Sequence, residues 1–388
     1  MAKRFNDILA ELPRIREGAK EIRELILANL AMISEIPAPT FGEERRVSLI
    51  QQRFSECELQ NCSTDEPGNA LGILPGEPDN NILIVAHADT IFPATLDHNI
   101  SLRADRVSGP GVADNSLGVA ALVSLPTLLK HLGIRLNCTL YLMGASRSLG
   151  RGNLEGLRFF LSNKQVPLRA GVCIEGVSLG RLSFSSLGML RGEVRIRVPE
   201  EYDWTRFGVT SAVLILNEVI NEISQIRLPR KPRTSIVLGS VEGGKAFDAI
   251  ATEGVLRFEI RSESAAMVRE IQQRMRDIAS ELSARTGAEV SLEIIARRKP
   301  GGITFAHPMV RKARAVMRAL DVSPRFSPST SELSAFIDRK IPAITIGLTT
   351  GEHLDQPDET IAIEPVFTGM AQLVGILLAV DGGFCDAD

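Results

Sequence analysis

Apolar and polar positions along the chain alternate between two periodicities, which predict helices and strands in succession. Residues 82–85 are apolar at every position, and mostly apolar runs occupy 138–143, 171–176 and 341–347. Helical spacing of apolar residues is found in the segments 8–33, 43–54, 117–129, 308–320 and 359–381. Strands that are apolar throughout are typical of sheets covered on both faces. The pattern predicts an α/β fold with a mostly parallel sheet flanked by helices.

The pattern changes at about residue 187, where apolar and polar residues begin to alternate as in a half-exposed strand. The predicted order from there to residue 299 is strand, helix, strand, strand, helix, strand, which is typical of a ferredoxin-like α+β domain. A chain of 388 residues exceeds the usual length of one domain. We therefore expect residues 187–299 to form a domain inserted into a larger one made of residues 1–186 and 300–388.

Composition excludes several classes of protein. Lys and Arg number 44 against 47 Asp and Glu, the net charge is -3, and only 5% of residues are aromatic, so a nucleic-acid partner is not expected. The five cysteines lack paired spacing, which favours reduced thiols. The charged N-terminus does not fit a signal peptide, and the apolar segment 365–380 is too short and too interrupted to span a bilayer. We expect a cytoplasmic protein with no membrane partner.

Candidate chemistry follows the strand at 82–85. His87 and Asp89 come directly after it, and Asp114 lies in a glycine-rich turn that precedes the next helix. In open α/β sheets, ligands bind at the carboxyl ends of the strands. An imidazole and a carboxylate two residues apart point the same way on an extended backbone, so that one can bind a metal while the other supports it.

These two motifs together resemble a known family. His-Ala-Asp-Thr at 87–90, paired with Gly-Val-Ala-Asp-Asn-Ser-Leu-Gly at 111–118, is similar to the two-zinc exopeptidases and amidohydrolases, which include glutamate carboxypeptidase, aminoacylase, tripeptidase and succinyl-diaminopimelate desuccinylase. The resemblance implies the zinc exopeptidase fold and substrates that are small peptides or N-acyl amino acids. It also implies that the inserted domain is a lid, through which many members form homodimers.

The resemblance implies a set of metal ligands as well. His87, Asp114 and Glu175 would bind the first zinc, with Asp89 orienting His87, and such a set of three N/O ligands is typical of catalytic zinc. The second zinc would share Asp114 and take His353.

The clearest departure from the family lies after the strand at 138–143. Members carry an adjacent Glu-Glu pair there, the first Glu being the general base and the second a metal ligand. This chain has Ser146 and Arg147, or Arg147 and Ser148 in the alternative register, and no Glu occurs between Asp114 and Glu155. An inward Arg147 would repel a second dication. We therefore expect one zinc ion rather than two, the alternative being a metal-free site in which Arg147 pairs with Asp114 and Glu175.

The lid departs from the family too. Tyr202 or Asp203 stands where one subgroup carries a His that reaches the partner's site, and Asp248 stands where an Asn is usual. Arg261 is a candidate for binding a substrate carboxylate, and Glu332 lies in a predicted substrate-contact loop where many members carry an Asp.

Two functions follow from these observations. The first is a zinc-dependent hydrolase of amide bonds in peptides or N-acyl amino acids, with an altered site in which Asp89, Ser146 and Arg147 occupy the catalytic positions. The alternative is an inactive member of the family that serves as a ligand-binding or assembly protein.

Overall fold

The computed structural model describes residues 4–164, 166–199 and 211–386, and Tyr202 and Asp203 lie outside this part of the chain. The chain divides into two compact units. The first comprises Met1–Ser186 and Gly302–Asp388, and the second comprises Leu187–Gly301.

Helices and strands alternate along much of the chain. The helices are α1 (Phe5–Glu21), α2 (Arg23–Ser34), α3 (Glu44–Glu56), α4 (Leu117–His131), α5 (Glu155–Asn163), α6 (Ala212–Ser224), α7 (Ala265–Thr286), α8 (Pro308–Ala319), α9 (Leu333–Asp338) and α10 (Glu364–Asp381). The strands are β1 (Gln60–Thr64), β2 (Ala70–Leu74), β3 (Glu77–His87), β4 (Ser101–Leu102), β5 (Arg106–Ser108), β6 (Cys138–Ala145), β7 (Ala170–Val177), β8 (Arg181–Ser183), β9 (Ser185–Ser186), β10 (Gly188–Arg197), β11 (Thr234–Gly243), β12 (Glu253–Ser262), β13 (Glu289–Arg298), β14 (Gly301–Gly302), β15 (Arg325–Phe326), β16 (Ala343–Thr349), β17 (Gly351–Glu352) and β18 (Thr360–Ala362).

The first unit is built on a mixed sheet with the strand order β1-β2-β6-β3-β7-β16-β8-β15. The four central strands, β6, β3, β7 and β16, run parallel. His87 pairs in register with Ala145, and Glu175 pairs with Gly347, so these strands end at one edge of the sheet. The predicted α/β fold with a mostly parallel sheet is confirmed.

Burial of strand β3 on both faces explains its continuous apolar run. Ile82 and Ile84 pack into a core shared with α1, α4, α8 and α10, whereas Leu83 and Val85 pack into a second core with α5 and α9. All four side chains are fully buried. Alternate residues of a strand face opposite sides, so every position of a strand covered on both faces is buried and favours an apolar residue.

The segment Val112–His131, which contains α4, and helix α10 are long and apolar enough to cross a membrane by length and composition. Within the first unit, however, 89% and 83% of their apolar windows are buried. Helix α10 approaches β16 so closely that a Cβ atom at Gly369 would lie 2.1 Å from the carbonyl oxygen of Leu348. Both helices therefore serve as core helices of this unit.

Helix α10 begins later than its pattern predicts. We expected a helix from residue 359, but Thr360–Ala362 forms strand β18, which pairs with β5, and the helix begins at Glu364 with Pro365 in its first turn. The short strands β4, β5, β17 and β18 form a separate sheet that the sequence did not predict. Strands of two or three residues are too short to show a periodicity.

The second unit has the predicted order of elements, β10-α6-β11-β12-α7-β13. Its antiparallel sheet has the strand order β11-β12-β10-β13, which is the ferredoxin-like arrangement. Helices α6 and α7 pack on one face of this sheet and contribute most of its apolar core. Strand β11 lies at the edge and is largely exposed. The predicted inserted ferredoxin-like fold is confirmed.

Leu122 in α4 is fully buried, whereas Leu102 in β4 is 54% exposed. We expect Leu122→Ala to lower the free energy of unfolding by about 2–5 kcal/mol because it leaves a cavity in a dense core. Leu102→Ala should change it by less than about 0.5 kcal/mol. Urea denaturation followed by circular dichroism measures both, and equal effects would contradict the core described above.

Candidate functional site

Three predicted ligands meet at the carboxyl edge of the central sheet. His87 ends β3, Glu175 lies near the end of β7, and Asp114 lies in the turn before α4. Each offers a ligand atom within 4.8 Å of the other two, and no other such group of His, Cys, Asp or Glu is found in the described part of the chain. Nε2 of His87 lies 2.9 Å from Oδ1 of Asp114 and 3.8 Å from Oε2 of Glu175.

Burial and mutual charge perturb all three groups. Burial raises the pKa of the Glu175 carboxyl to about 7, although the Arg181 guanidinium opposes this rise. Burial would lower the pKa of His87, but hydrogen bonds to Asp114 and Asp89 raise it well above its usual value. Burial would likewise raise the pKa of Asp114, but its hydrogen bond with His87 keeps it below the usual value. Groups with such shifts in one cluster are typical of functional sites.

Asp89 contacts the cluster on the Nδ1 side of the His87 ring. It is fully buried, and its Oδ2 accepts hydrogen bonds from Oγ1 of Thr40 and from the backbone N–H groups of Ser148 and Leu149. Its Oδ1 lies 3.4 Å from Nδ1 of His87. The ring of His87 is further fixed by the backbone oxygen of Asp89, 3.0 Å from Nδ1. Contacts of this kind orient a histidine ligand.

A buried guanidinium stabilises the segment that carries His87 and Asp89. Arg46 of α3 is fully buried and donates to the backbone oxygens of Ala88 and Ile36. Burial lowers the pKa of Arg46 to about 10, and the charges of Asp89 and Glu43 oppose this shift. Sequence reasoning missed Arg46, since nothing in the helical pattern distinguishes it from Arg45 and Arg53 of the same helix.

The turn that carries Asp114 is held by Glu359, which is fully buried. Oε2 of Glu359 accepts from the N–H of Ala113 at 3.0 Å, and Oε1 accepts from the N–H of Asp355. Burial raises the pKa of Glu359 to about 7. The next residue, Asn115, bonds β7 directly by donating to the backbone oxygen of Ile174 and accepting from the N–H of Gly176. These contacts fix Asp114 beside Glu175.

Ser146 is bonded away from the cluster, and Arg147 has a partner other than those predicted for it. The hydroxyl of Ser146 is buried and donates to the backbone oxygen of Pro67. Arg147 has a left-handed backbone (φ 51°), and its guanidinium pairs with Glu155 at 2.7 Å and lies over the ring of Phe41. The predicted alternative of an Arg147 paired with Asp114 and Glu175 is therefore not the arrangement found.

His353, the remaining predicted ligand, is not brought into the cluster. It lies on a turn after β17, its side chain is 61% exposed, and its Nδ1 lies 2.7 Å from Oδ2 of Asp358. The resemblance implied that His353 binds the second zinc, but the left-handed backbone of His353 (φ 54°) belongs to a turn.

The number and type of ligand atoms determine which metal ions these residues could hold. One imidazole and two carboxylates within 4.8 Å of one another match the three N/O ligands of a catalytic zinc site. A second ion beside Asp114 would need His353 and another carboxylate, but His353 pairs with Asp358 and Arg147 pairs with Glu155. The described residues therefore bring together one set of ligands that fits a single metal ion.

Two further charged groups act on the cluster; sequence reasoning assigned no role to Arg181 and placed Glu332 only in a substrate-contact loop. Nη1 of Arg181, in β8, lies 3.9 Å from Oε1 of Glu175. Glu332, directly before α9, is buried, and its charge acts on His87 and Glu175. The loop containing Glu332 was predicted to contact substrate, but nothing in its sequence indicated that the side chain would be buried.

The predicted substrate-binding residues of the lid lie in the second unit. Arg261 is in β12 and forms an ion pair with Glu259 of the same strand. Asp248 is exposed, next to the fully exposed side chain of Phe247. Tyr202 lies outside the described residues.

Two family models match parts of the chain. Residues 207–287 match the peptidase dimerisation domain, and residues 69–145 match peptidase family M28. The second match covers β3, the turn with Asp114, and all of β6. No curated protein matches the chain.

Solved structures match over nearly the whole chain. A tripeptidase from Staphylococcus aureus is 17% identical, with a TM-score of 0.74, and the match covers 92% of this chain and 98% of that one. A dipeptidase from Saccharomyces cerevisiae is 13% identical, with a TM-score of 0.79 and coverage of 95% and 98%. A dinuclear metal-binding M20 peptidase from Bacillus subtilis is 15% identical, with a TM-score of 0.65 and coverage of 93% and 99%.

The match to the dimerisation domain coincides with the second unit, and the solved structures share the architecture of both units. At 12–17% identity these structures establish the fold alone. The fold and the matched peptidase segments together show that this chain resembles the zinc exopeptidase family and is built on its fold.

Proposed function

We propose that this protein is a metal-dependent hydrolase of amide bonds in small peptides or N-acyl amino acids that works with one zinc ion. The observation that carries the proposal is the convergence of His87, Asp114 and Glu175 at the carboxyl edge of the sheet. The matches to peptidase segments support the class of reaction.

In this proposal each residue around the cluster has a separate task. His87, Asp114 and Glu175 would hold the zinc ion, which would supply Lewis acidity toward the scissile carbonyl. Asp89 holds the ring of His87 in place through contacts on its Nδ1 side. Arg181 is 27% exposed beside Glu175 and can donate hydrogen bonds to the oxygen on which negative charge develops.

Neither Ser146 nor Glu155 is placed to act as the general base of this reaction. Ser146 is buried with its hydroxyl bonded to Pro67, so it cannot take a proton from the attacking water. Glu155 lies 47% exposed at the start of α5 and pairs with Arg147. A positioned base is worth about 10²–10⁴-fold in rate. We therefore expect hydrolysis slower than that of an enzyme with the Glu-Glu pair by a factor of this order.

The lack of a general base also favours a second candidate function. An inactive protein that binds a small peptide or an N-acyl amino acid, or that acts in assembly, needs the cluster and the fold but no base. The buried hydroxyl of Ser146 and the exposed position of His353 are the features that favour this alternative.

We further propose that the second unit acts as a lid and joins two copies into a homodimer. Its edge strand β11 exposes Val237, Leu238 and Val241, and helix α6 exposes Val213 and Leu214. An exposed apolar edge strand pairs readily with another strand. The match to the peptidase dimerisation domain supports this surface as the dimer contact. The localisation we propose is cytoplasmic.

Metal content tests the proposed site. After chelation, reloading with zinc and removal of the excess, elemental mass spectrometry should find about one zinc per chain, because three N/O ligands suffice for one ion. His87→Ala should lose it. His131→Ala is the matched control, because His131 lies at the surface and pairs with Glu21. Two ions per chain would contradict the single-metal site.

Hydrolysis is measured on the zinc-loaded protein with dipeptides, tripeptides and N-acyl amino acids. Slow release of amino acids that the His87→Ala variant lacks would support the hydrolase. Zinc binding with no cleavage of any of these compounds would reject the hydrolase in favour of the binding protein.

Light scattering after size exclusion tests the dimer. Val241→Lys with Leu214→Lys places two charges on the exposed apolar surface of the second unit and should convert a dimer into monomers. Glu289→Lys, at an exposed position in the opposite edge strand β13, is the control and should leave the dimer intact. A monomeric wild-type protein would rule out the proposed dimer.

A further inference from the structure

Phe41, in the turn before α3, combines a strained backbone with an exposed aromatic ring. Its φ of 74° lies in the left-handed region, which a bulky side chain rarely adopts. The residue is 51% exposed, although burial of an aromatic ring is favourable. Strained residues concentrate at sites that bind ligands, where the surrounding structure holds them in place. An exposed ring held in this conformation is therefore a candidate binding element.

Hydrogen bonds tie the turn with Phe41 to the metal-binding cluster. Thr40, directly before Phe41, donates its hydroxyl to Oδ2 of Asp89 at 2.8 Å. The same oxygen accepts from the backbone N–H of Ser148 at 3.0 Å. The other oxygen of Asp89 lies 3.4 Å from Nδ1 of His87. Phe41 thus follows directly on a residue that bonds the carboxylate in contact with His87.

Arg147, directly before Ser148, covers one part of the Phe41 ring. Its guanidinium carbon lies 5.6 Å from the ring centroid, a distance typical of a cation–π contact. Its backbone N–H donates to Oε1 of the buried Glu43 at 2.8 Å, which fixes the loop that carries it. Glu155 pairs with the guanidinium at 2.7 Å and offsets its charge. The surface made by the ring and the ion pair has no net charge, so it suits an uncharged ligand group better than a carboxylate.

The part of the Phe41 ring that Arg147 leaves open determines which uncharged group fits. Half of the residue stays exposed with Arg147 in place. The N–H of Thr90 donates to the backbone oxygen of Ala38, so the exposed Ile91 lies on the segment beside the turn and adds apolar surface. Any apolar group gains from burial against this surface, and an aromatic group gains further from offset or edge-to-face packing on the ring.

We propose that Phe41 is a specificity-determining residue, whose ring packs against an aromatic side chain next to the scissile amide of the substrate. Arg147 holds the ring from one side. This inference rests on the proposed function and names its substrate class, which is small peptides and N-acyl amino acids with aromatic side chains.

Titration calorimetry of the zinc-loaded, full-length protein tests the proposal. The probes are N-acetylphenylalanine and N-acetylalanine, which differ only in a phenyl group. The wild type should bind N-acetylphenylalanine about 10-fold more tightly, because ring packing adds to apolar burial. Phe41→Asn should bring the ratio of the two Kd values to within about twofold, because it removes the ring. If the protein cleaves the probes slowly, KM equals Kd and gives the same comparison.

Two further variants serve as controls. Phe41→Tyr keeps an aromatic ring and should keep the preference for N-acetylphenylalanine. Phe305→Asn is the matched control, because Phe305 is 49% exposed and Arg314 lies over its ring at 4.2 Å. Phe305 packs on Phe326 of β15, which three strands separate from β3 in the sheet, so the preference should be unchanged.

Thermal unfolding distinguishes binding by the ring from a structural role. Asn adopts the left-handed conformation more readily than Phe, so Phe41→Asn should unfold at the wild-type temperature or higher. A lower unfolding temperature with equal loss of affinity for both probes would give Phe41 a structural role and overturn the proposal. A wild type that binds both probes equally or binds neither, or a Phe41→Asn variant that keeps the preference, would also overturn it. Preference for N-acetylphenylalanine without any cleavage would reject only the hydrolase.

Discussion

Burial of the Asp89 carboxylate is the constraint on which the arrangement of the site depends. A buried carboxylate is tolerated only where it accepts hydrogen bonds, and Asp89, which follows β3, accepts them from two other parts of the chain: Thr40 before α3, and the backbone at Ser148 and Leu149 after β6. One side chain therefore fixes the relative positions of three loops at the edge of the sheet. Loss of these hydrogen bonds would leave several buried groups unpaired at once.

The same bonding explains how the loop after β6 keeps its shape. The loop after β6 is held through its backbone, by Asp89 at Ser148 and Leu149 and by Glu43 at the N–H of Arg147. Because these hydrogen bonds are donated by backbone N–H groups, they can form with many different side chains in the loop. The scaffold can therefore keep its shape with Ser146 and Arg147 in place of two acids, while the half of the site built on His87, Asp114 and Glu175 remains assembled.

The sequence was sufficient for the sheet and for half of the site. Continuous apolar runs identified β3, β6, β7 and β16, and parallel strands end at a common edge, so polar residues that follow them were expected to meet. His87, Asp114 and Glu175 do so. The sequence pattern does not predict where the side chains of irregular segments point. The left-handed backbones of Arg147 and His353, and their pairing with Glu155 and Asp358, depend on loop geometry that no periodicity encodes.

The position of the inserted unit has a consequence for the order in which the chain acquires its structure during synthesis. Strand β16 and helix α10 complete the sheet and core of the first unit, but they emerge from the ribosome only after all of residues 187–301. The second unit is continuous in sequence, so it can fold while the first still lacks these elements. Until then the edge of β7 that pairs with β16 and the face of α1 that packs on α10 remain uncovered, and a nascent chain in this condition is a natural substrate for chaperones.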